Sequence, residues 1–140
     1  MKSQFLTIAL GAAAAALGVG LGALVTFGVS AAPFAWVPNE KSGTMSIIDV
    51  ATDTVVGEAA VGKRPRGTAA SKDGKTLYVS DQPANAVQVV DVAARKVTDT
   101  IVLGESPEGV YRSPDGRWVT VAVEEDNSVH FISTATGKRE

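Results

Sequence analysis

The stretch "GKRPRGTAASKDGK" (62–75) packs five cationic side chains and three glycines into fourteen positions. A loop of that composition suits phosphate or carboxylate, because guanidinium groups present paired donors in a fixed fork. Arg64 and Arg66, on either side of Pro65, carry that reading, with Lys63 beside them. Forty-two residues on, the chain reads "GESPEGVYRSPDGR". Gly62, Pro65, Gly67, Ser71, Asp73 and Gly74 return as Gly104, Pro107, Gly109, Ser113, Asp115 and Gly116. Lys63 and Arg66 return as Glu105 and Glu108. The framework therefore repeats while the charge reverses, which weakens any anion site built from every unit. Two readings of the arginines stay open: an anionic ligand or acidic partner, or a solvated turn paired with Glu105 or Glu108 of the next unit.

Other residues capable of chemistry have plainer expectations. "EEDN" (124–127) offers oxygen ligands but lacks the alternating spacing and glycine of a Ca²⁺ loop, so it reads as a solvated acidic turn. His130 repeats the place of Ser46 and Gln88 and reads as a surface strand histidine; one histidine supplies no metal triad. Asp73 with Gly74 and Asp115 with Gly116 read as turn chemistry, the carboxylate accepting from nearby amides and the glycine taking positive φ. No nucleophile elbow, zinc-protease, Walker or dinucleotide motif occurs, so no catalytic residue, metal ligand or cofactor is expected from the residues themselves. The absence of Cys excludes disulfides, thiolate metal sites and covalent haem attachment.

The elements that must position these residues follow from the repeat. Residues 35–76 match 77–118 identically at eleven of forty-two positions, and a third unit begins at 119. "MSIIDVA" (45–51) returns as "VQVVDVA" (87–93) and loosely as "VHFISTA" (129–135). Each unit divides into four short β-type runs, shown by "RGTAAS" (66–71), "KTLYVSD" (75–81), "AVQVVDV" (86–92) and "KVTDTIVL" (96–103). In the third, Val87 and Val89 alternate with Gln88 and Val90, the period of a strand. Four antiparallel strands about every forty residues is the pattern of a propeller blade. The expected fold is all-β: a partial β-propeller of about two and a half four-stranded blades over 32–140. Loops joining consecutive blades and loops between second and third strands then share one face, gathering Lys63, Arg64, Arg66, Glu105 and Glu108 with Asp81 to Asn85.

Ahead of the repeats, no charge occurs between Lys2 and Glu40, and Phe5 to Val29 is almost wholly apolar. This reads as an apolar export helix: either a signal peptide cleaved after Ala31 or a retained N-terminal membrane anchor over 5–29. With Lys2 as the only early cation, both readings place the remainder outside the cytoplasm, in the periplasm or anchored to the inner membrane facing it. From Ala32 onward twelve cationic side chains face fifteen acidic ones, a net charge of −3 that argues against nucleic-acid partners.

"TLYVSD", "VQVVDVAARKV", "VGKRPRG" and "SPDGR" resemble the YVTN-type β-propeller repeat. "WVPNEKSGTMSIIDVATDTVV" and "VEEDNSVHFISTATGK" resemble, more narrowly, the exported YVTN proteins associated with catabolism dependent on pyrroloquinoline quinone (PQQ). The likeness spans about residues 36–139. It implies a ring of about seven blades, so missing blades come from a longer chain or from self-association, or the stack stays open. It further implies a non-enzymatic binding or scaffold module beside a periplasmic quinoprotein dehydrogenase, with PQQ entering only through this association. Related propellers include lactone hydrolases and redox enzymes, and YVTN repeats also occur in surface-layer proteins; these remain the alternatives.

Overall fold

The computed structural model describes residues 33–140. The expected export segment lies outside them, and among the described residues no helix is long and apolar enough to cross a membrane. Ten strands form three antiparallel sheets. The first contains β1 (Phe34–Asn39), β2 (Thr44–Asp49) and β3 (Thr54–Ala60). The second contains β4 (Pro65–Ala70), β5 (Thr76–Asp81), β6 (Ala86–Asp91) and β7 (Lys96–Val102), with a short 3-10 turn, Gln82–Ala84, between β5 and β6. The third contains β8 (Pro107–Arg112), β9 (Trp118–Val123) and β10 (Ser128–Ser133). Each sheet is a simple meander in chain order. This all-β, three-, four- and three-stranded arrangement is consistent with a partial β-propeller.

The repeat extends to backbone irregularities. The register shifts between Ile47 and Ile48 and again, one repeat later, between Val89 and Val90. It shifts likewise between Pro65 and Thr68 and between Pro107 and Val110. Left-handed residues fall in columns as well: Gly43, Asn85 and Asn127 in one, and Asp53, Arg95 and Gly137 in another. Asn and Asp tolerate that region, but at Arg95 the fold imposes it on a residue that gains nothing from it. After β10, Gly137 turns the chain so that Arg139 bridges Ile132, as β7 begins its pairing with β6.

Sheet alternation builds two cores. Leu77, Val79 and Val90 of the middle sheet pack toward Met45, Ala59 and Val61 of the first. Tyr78, Val87, Ile101 and Leu103 pack toward Val119 and Val121 of the third. Covered on both faces, β5 is buried along nearly its whole length. Each such aliphatic side chain contributes about 1.5–3 kcal/mol on leaving water.

The middle and third sheets approach most closely at their first strands. A Cβ on Gly67 would collide with the Glu108 carbonyl and the Val110 amide of β8, so only glycine fits without moving backbone. The fully buried Ser80 stitches the same seam. Its hydroxyl accepts from the Gly67 N–H at 2.9 Å and donates to the Glu108 carbonyl at 2.6 Å.

Candidate functional site

Alternation of strand direction divides the loops between the two ends of the sheets. One end carries the Ser-x-Asp-Gly turns. There Ser71 donates to Asp73 at 2.6 Å, Asp73 accepts the Lys75 N–H at 3.1 Å, and the Ser71 hydroxyl accepts the Thr76 N–H at 3.0 Å. Ser113, Asp115, Arg117 and Trp118 repeat the pattern at 2.6, 3.0 and 3.0 Å. Gly74 and Gly116 supply the positive φ of +70° and +78°. The serine hydroxyl and the amide two residues on hold the Asp73 carboxyl below the usual range. Asp115 is held lower still, by the Ser113 hydroxyl first, then by the Arg117 amide and guanidinium. These carboxylates are occupied in shaping turns.

The opposite, charged end carries the ion pairs that join separate loops. Its organiser is Asp81, 2% exposed at the end of β5. Its carboxylate accepts the backbone N–H groups of Lys63 and Arg64 at 3.0–3.1 Å and the Gln88 side-chain amide at 3.4 Å. Thr100 completes the line by donating to Gln88 Oε1 at 2.7 Å. Asp81 thus turns inward to fix the loop between the first and second sheets, and its carboxylate is not presented to solvent. Gly62 makes the approach possible, since a Cβ there would run into that carboxylate.

With the loop fixed, Arg64 reaches back to Glu40 in the β1–β2 loop, its Nε donating to Oε1 at 3.1 Å and its Nη2 pairing with the same oxygen. The hydrogen-bonded guanidinium holds the Glu40 carboxyl below its ordinary value. Arg66 pairs with Glu108 on the neighbouring sheet. Gln82 donates to Ser106 Oγ at 2.7 Å and to Glu108 Oε1 at 3.1 Å. The Ser106 carbonyl then accepts the Glu124 N–H at 3.0 Å, linking the second sheet-to-sheet loop to the "EEDN" turn. Loops from all three sheets are therefore joined in one ribbon of alternating charge.

Of the residues singled out from sequence, Arg64, Arg66 and Glu108 are brought into this ribbon as ion-paired groups. Lys63 and Glu105 are exposed on successive crossovers and make no ion pair among the described residues. Asn85 is exposed, with its left-handed backbone ending the 3-10 turn and its carbonyl accepting Leu103 N–H at 2.8 Å. His130, expected at the surface, is half-buried, and its Nδ1 is enclosed without a partner. Gln82, Ser80 and Ser106 were not individually legible as network members; a lone serine among the apolar residues of β5 was the available signal for Ser80. No group of three acidic, His or Cys side chains that could hold a metal occurs among the described residues.

The family model of the YNCE-like β-propeller matches residues 12–130. The chain belongs to the YNCE-like β-propeller family. The match begins inside the apolar N-terminal stretch. No curated protein matches the chain. Among solved structures, this YNCE-like chain is similar to the hydrazine synthase of Kuenenia stuttgartiensis, at 29% identity and a TM-score of 0.73, over 76% of this chain and 31% of that one. It is also similar to a protein assigned as a 6-phosphogluconolactonase from Bacteroides fragilis, at 25% identity and a TM-score of 0.65, over 76% and 34%. Dihydro-heme d1 dehydrogenase NirN, solved in complex with DHE, shares the fold at 21% identity and a TM-score of 0.59, over 71% and 21%. The YNCE-like chain thus spans between 21% and 34% of the length of these structures.

Proposed function

We propose that this YNCE-like chain is an exported, non-enzymatic binding or scaffold module, acting in the periplasm or at the outer face of the inner membrane. Its charged loop face engages a protein partner, a quinoprotein dehydrogenase of PQQ-dependent alcohol oxidation. The observation that carries the binding reading is the ribbon joining loops of all three sheets through Arg64–Glu40, Asp81 and Arg66–Glu108. A small free anion would have to displace carboxylates from both arginines. A protein surface of mixed charge instead meets a patterned face, where charges at the rim steer encounter and fix register. Lys63 and Glu105 supply unpaired charge of opposite sign on neighbouring loops. The link to PQQ rests on the resemblance of the repeats, with the cofactor held by the partner.

The test is affinity between the full chain and a PQQ-dependent alcohol dehydrogenase, measured with Lys63→Glu and Glu105→Lys variants. Each reversal is expected to weaken binding about tenfold, near 1.4 kcal/mol, and the loss should shrink at high salt. Binding that ignores both reversals would sink the reading. Similarity to a lactonase and a synthase supports a second reading, in which the chain is part of a propeller enzyme. Hydrolysis of a sugar-acid lactone by the protein above the buffer rate would favour it.

A further inference from the structure

We infer that the cleft between the second and third sheets, at the end that carries the Ser-x-Asp-Gly turns, binds a phosphate group. The cleft has a volume of about 380 Å³ and is lined by Ser71, Lys72 and Asp73 of the β4–β5 turn, Gly116 of the β8–β9 turn and Thr134 beyond β10. Its floor is fixed, because the Thr134 hydroxyl bonds to the carbonyls of Gly116 and Arg117 at 2.8 and 3.0 Å.

Two cations converge on this floor from different sheets. Lys72 reaches across from the second sheet, and its Cβ and Cδ stand 3.0 and 3.1 Å from the place a Gly116 Cβ would take. Arg112, at the end of β8, brings Nη1 to 3.5 Å from the same point, and that nitrogen also donates to the Ser113 carbonyl at 3.3 Å. Unlike Arg64 and Arg66, neither Lys72 nor Arg112 makes an ion pair among the described residues. The two nearby acids are committed to their own turns. Asp73 accepts the Ser71 hydroxyl and the Lys75 amide, and Asp115 accepts the Ser113 hydroxyl and pairs with Arg117.

The turn itself does not require these cations. One repeat earlier, Arg112 is replaced by Ala70 and Gly116 by Gly74, whose Cβ position has nothing within 4 Å. The corresponding cleft, between the first and second sheets, is apolar and lined by Phe34, Trp36, Leu77 and Val92. Like charges drawn to one point repel, and an anion between them removes that repulsion. A phosphate group suits the pair, offering up to two negative charges and several acceptor oxygens to one guanidinium fork and one ammonium point charge. A carboxylate carries a single charge for the two cations. Free phosphate and the phosphate of a small phosphomonoester present the same chemistry here. The cleft lies away from the proposed partner face, so its ligand is independent of that reading.

Equilibrium dialysis of the full chain against labelled inorganic phosphate, at constant ionic strength, tests this. One phosphate per chain is expected, retained against an equal concentration of acetate. Lys72→Gln and Arg112→Gln, both at exposed positions, are each expected to weaken retention about tenfold. Arg64→Gln, at the charged end, should leave it unchanged. Displacement by glycerol phosphate at lower concentration than by unlabelled phosphate would assign a phosphomonoester; otherwise the free ion is the ligand. On the unaltered chain, acetylation of Lys72 should slow when phosphate is added, while that of Lys63 does not. No retained phosphate, retention indifferent to Lys72→Gln and Arg112→Gln, loss in Arg64→Gln, or a Lys72 labelling rate unmoved by phosphate would overturn the inference.

Discussion

At the scale of single residues, the governing fact is which way Asp81 points. An aspartate ending a strand reads from sequence as an exposed acid. Two backbone amides that lie 17 and 18 residues earlier draw it inward, a relation no local pattern discloses. Asp81→Ala should cost about 1–3 kcal/mol by leaving those amides and Gln88 without their acceptor. It should also raise hydrogen exchange at Lys63 and Arg64 above that of the Ser-x-Asp-Gly turns. Those turns make a separate prediction for pH. Asp73 and Asp115 have folded values below the unfolded value near 3.9, so their contribution is present above that pH and disappears as pH falls through the folded values. Asp115→Asn should therefore lower the melting temperature at neutral pH and make its fall below about pH 4 shallower. Equal acid slopes in parent and variant would remove Asp115 from the account.

At the scale of elements, the strands were legible because two signals coincide. Period-two alternation marks "AVQVVDV", and Ser-x-Asp-Gly marks the turn from "RGTAAS" into "KTLYVSD"; the expected runs 66–71 and 86–92 lie within a residue of β4 and β6. The left-handed turn at Arg95 was hidden, since arginine is no turn signal. Its column partners Asp53 and Gly137 betray the backbone. The seam between sheets was hidden too, because Gly67 and Gly109 look identical in sequence while their neighbours differ. That difference is measurable. Gly67→Ala should cost about 1–3 kcal/mol, as the added methyl meets fixed backbone of β8. Gly109→Ala should change stability by less than about 0.5 kcal/mol, since it meets only the tip of the Tyr111 side chain. Urea denaturation of the two variants compares them directly, and equal losses would mean that the Gly67 seam is not close-packed.

At the scale of the whole molecule, the forty-two-residue repeat fixes three sheets side by side, and alternating strand direction sorts the loops to two ends. The charge reversal from Lys63 and Arg66 to Glu105 and Glu108 then acquires a physical meaning. It lets one crossover pair with the next, as Arg66 does with Glu108. Arg64 pairs backward with Glu40 rather than forward, because Asp81 holds its backbone beside the β1–β2 loop. The lysines of the described residues are divided between the ends as well: Lys41 and Lys63 stand at the charged end, whereas Lys72, Lys75, Lys96 and Lys138 stand at the turn end. Amine cross-linking of the full chain to a PQQ-dependent alcohol dehydrogenase, read by mass spectrometry, tests the proposed face most directly. The account predicts intermolecular links from Lys41 and Lys63, lost in Lys63→Glu together with Glu105→Lys. Links confined to Lys72, Lys75, Lys96 and Lys138, or no links above those to an unrelated protein, would contradict it.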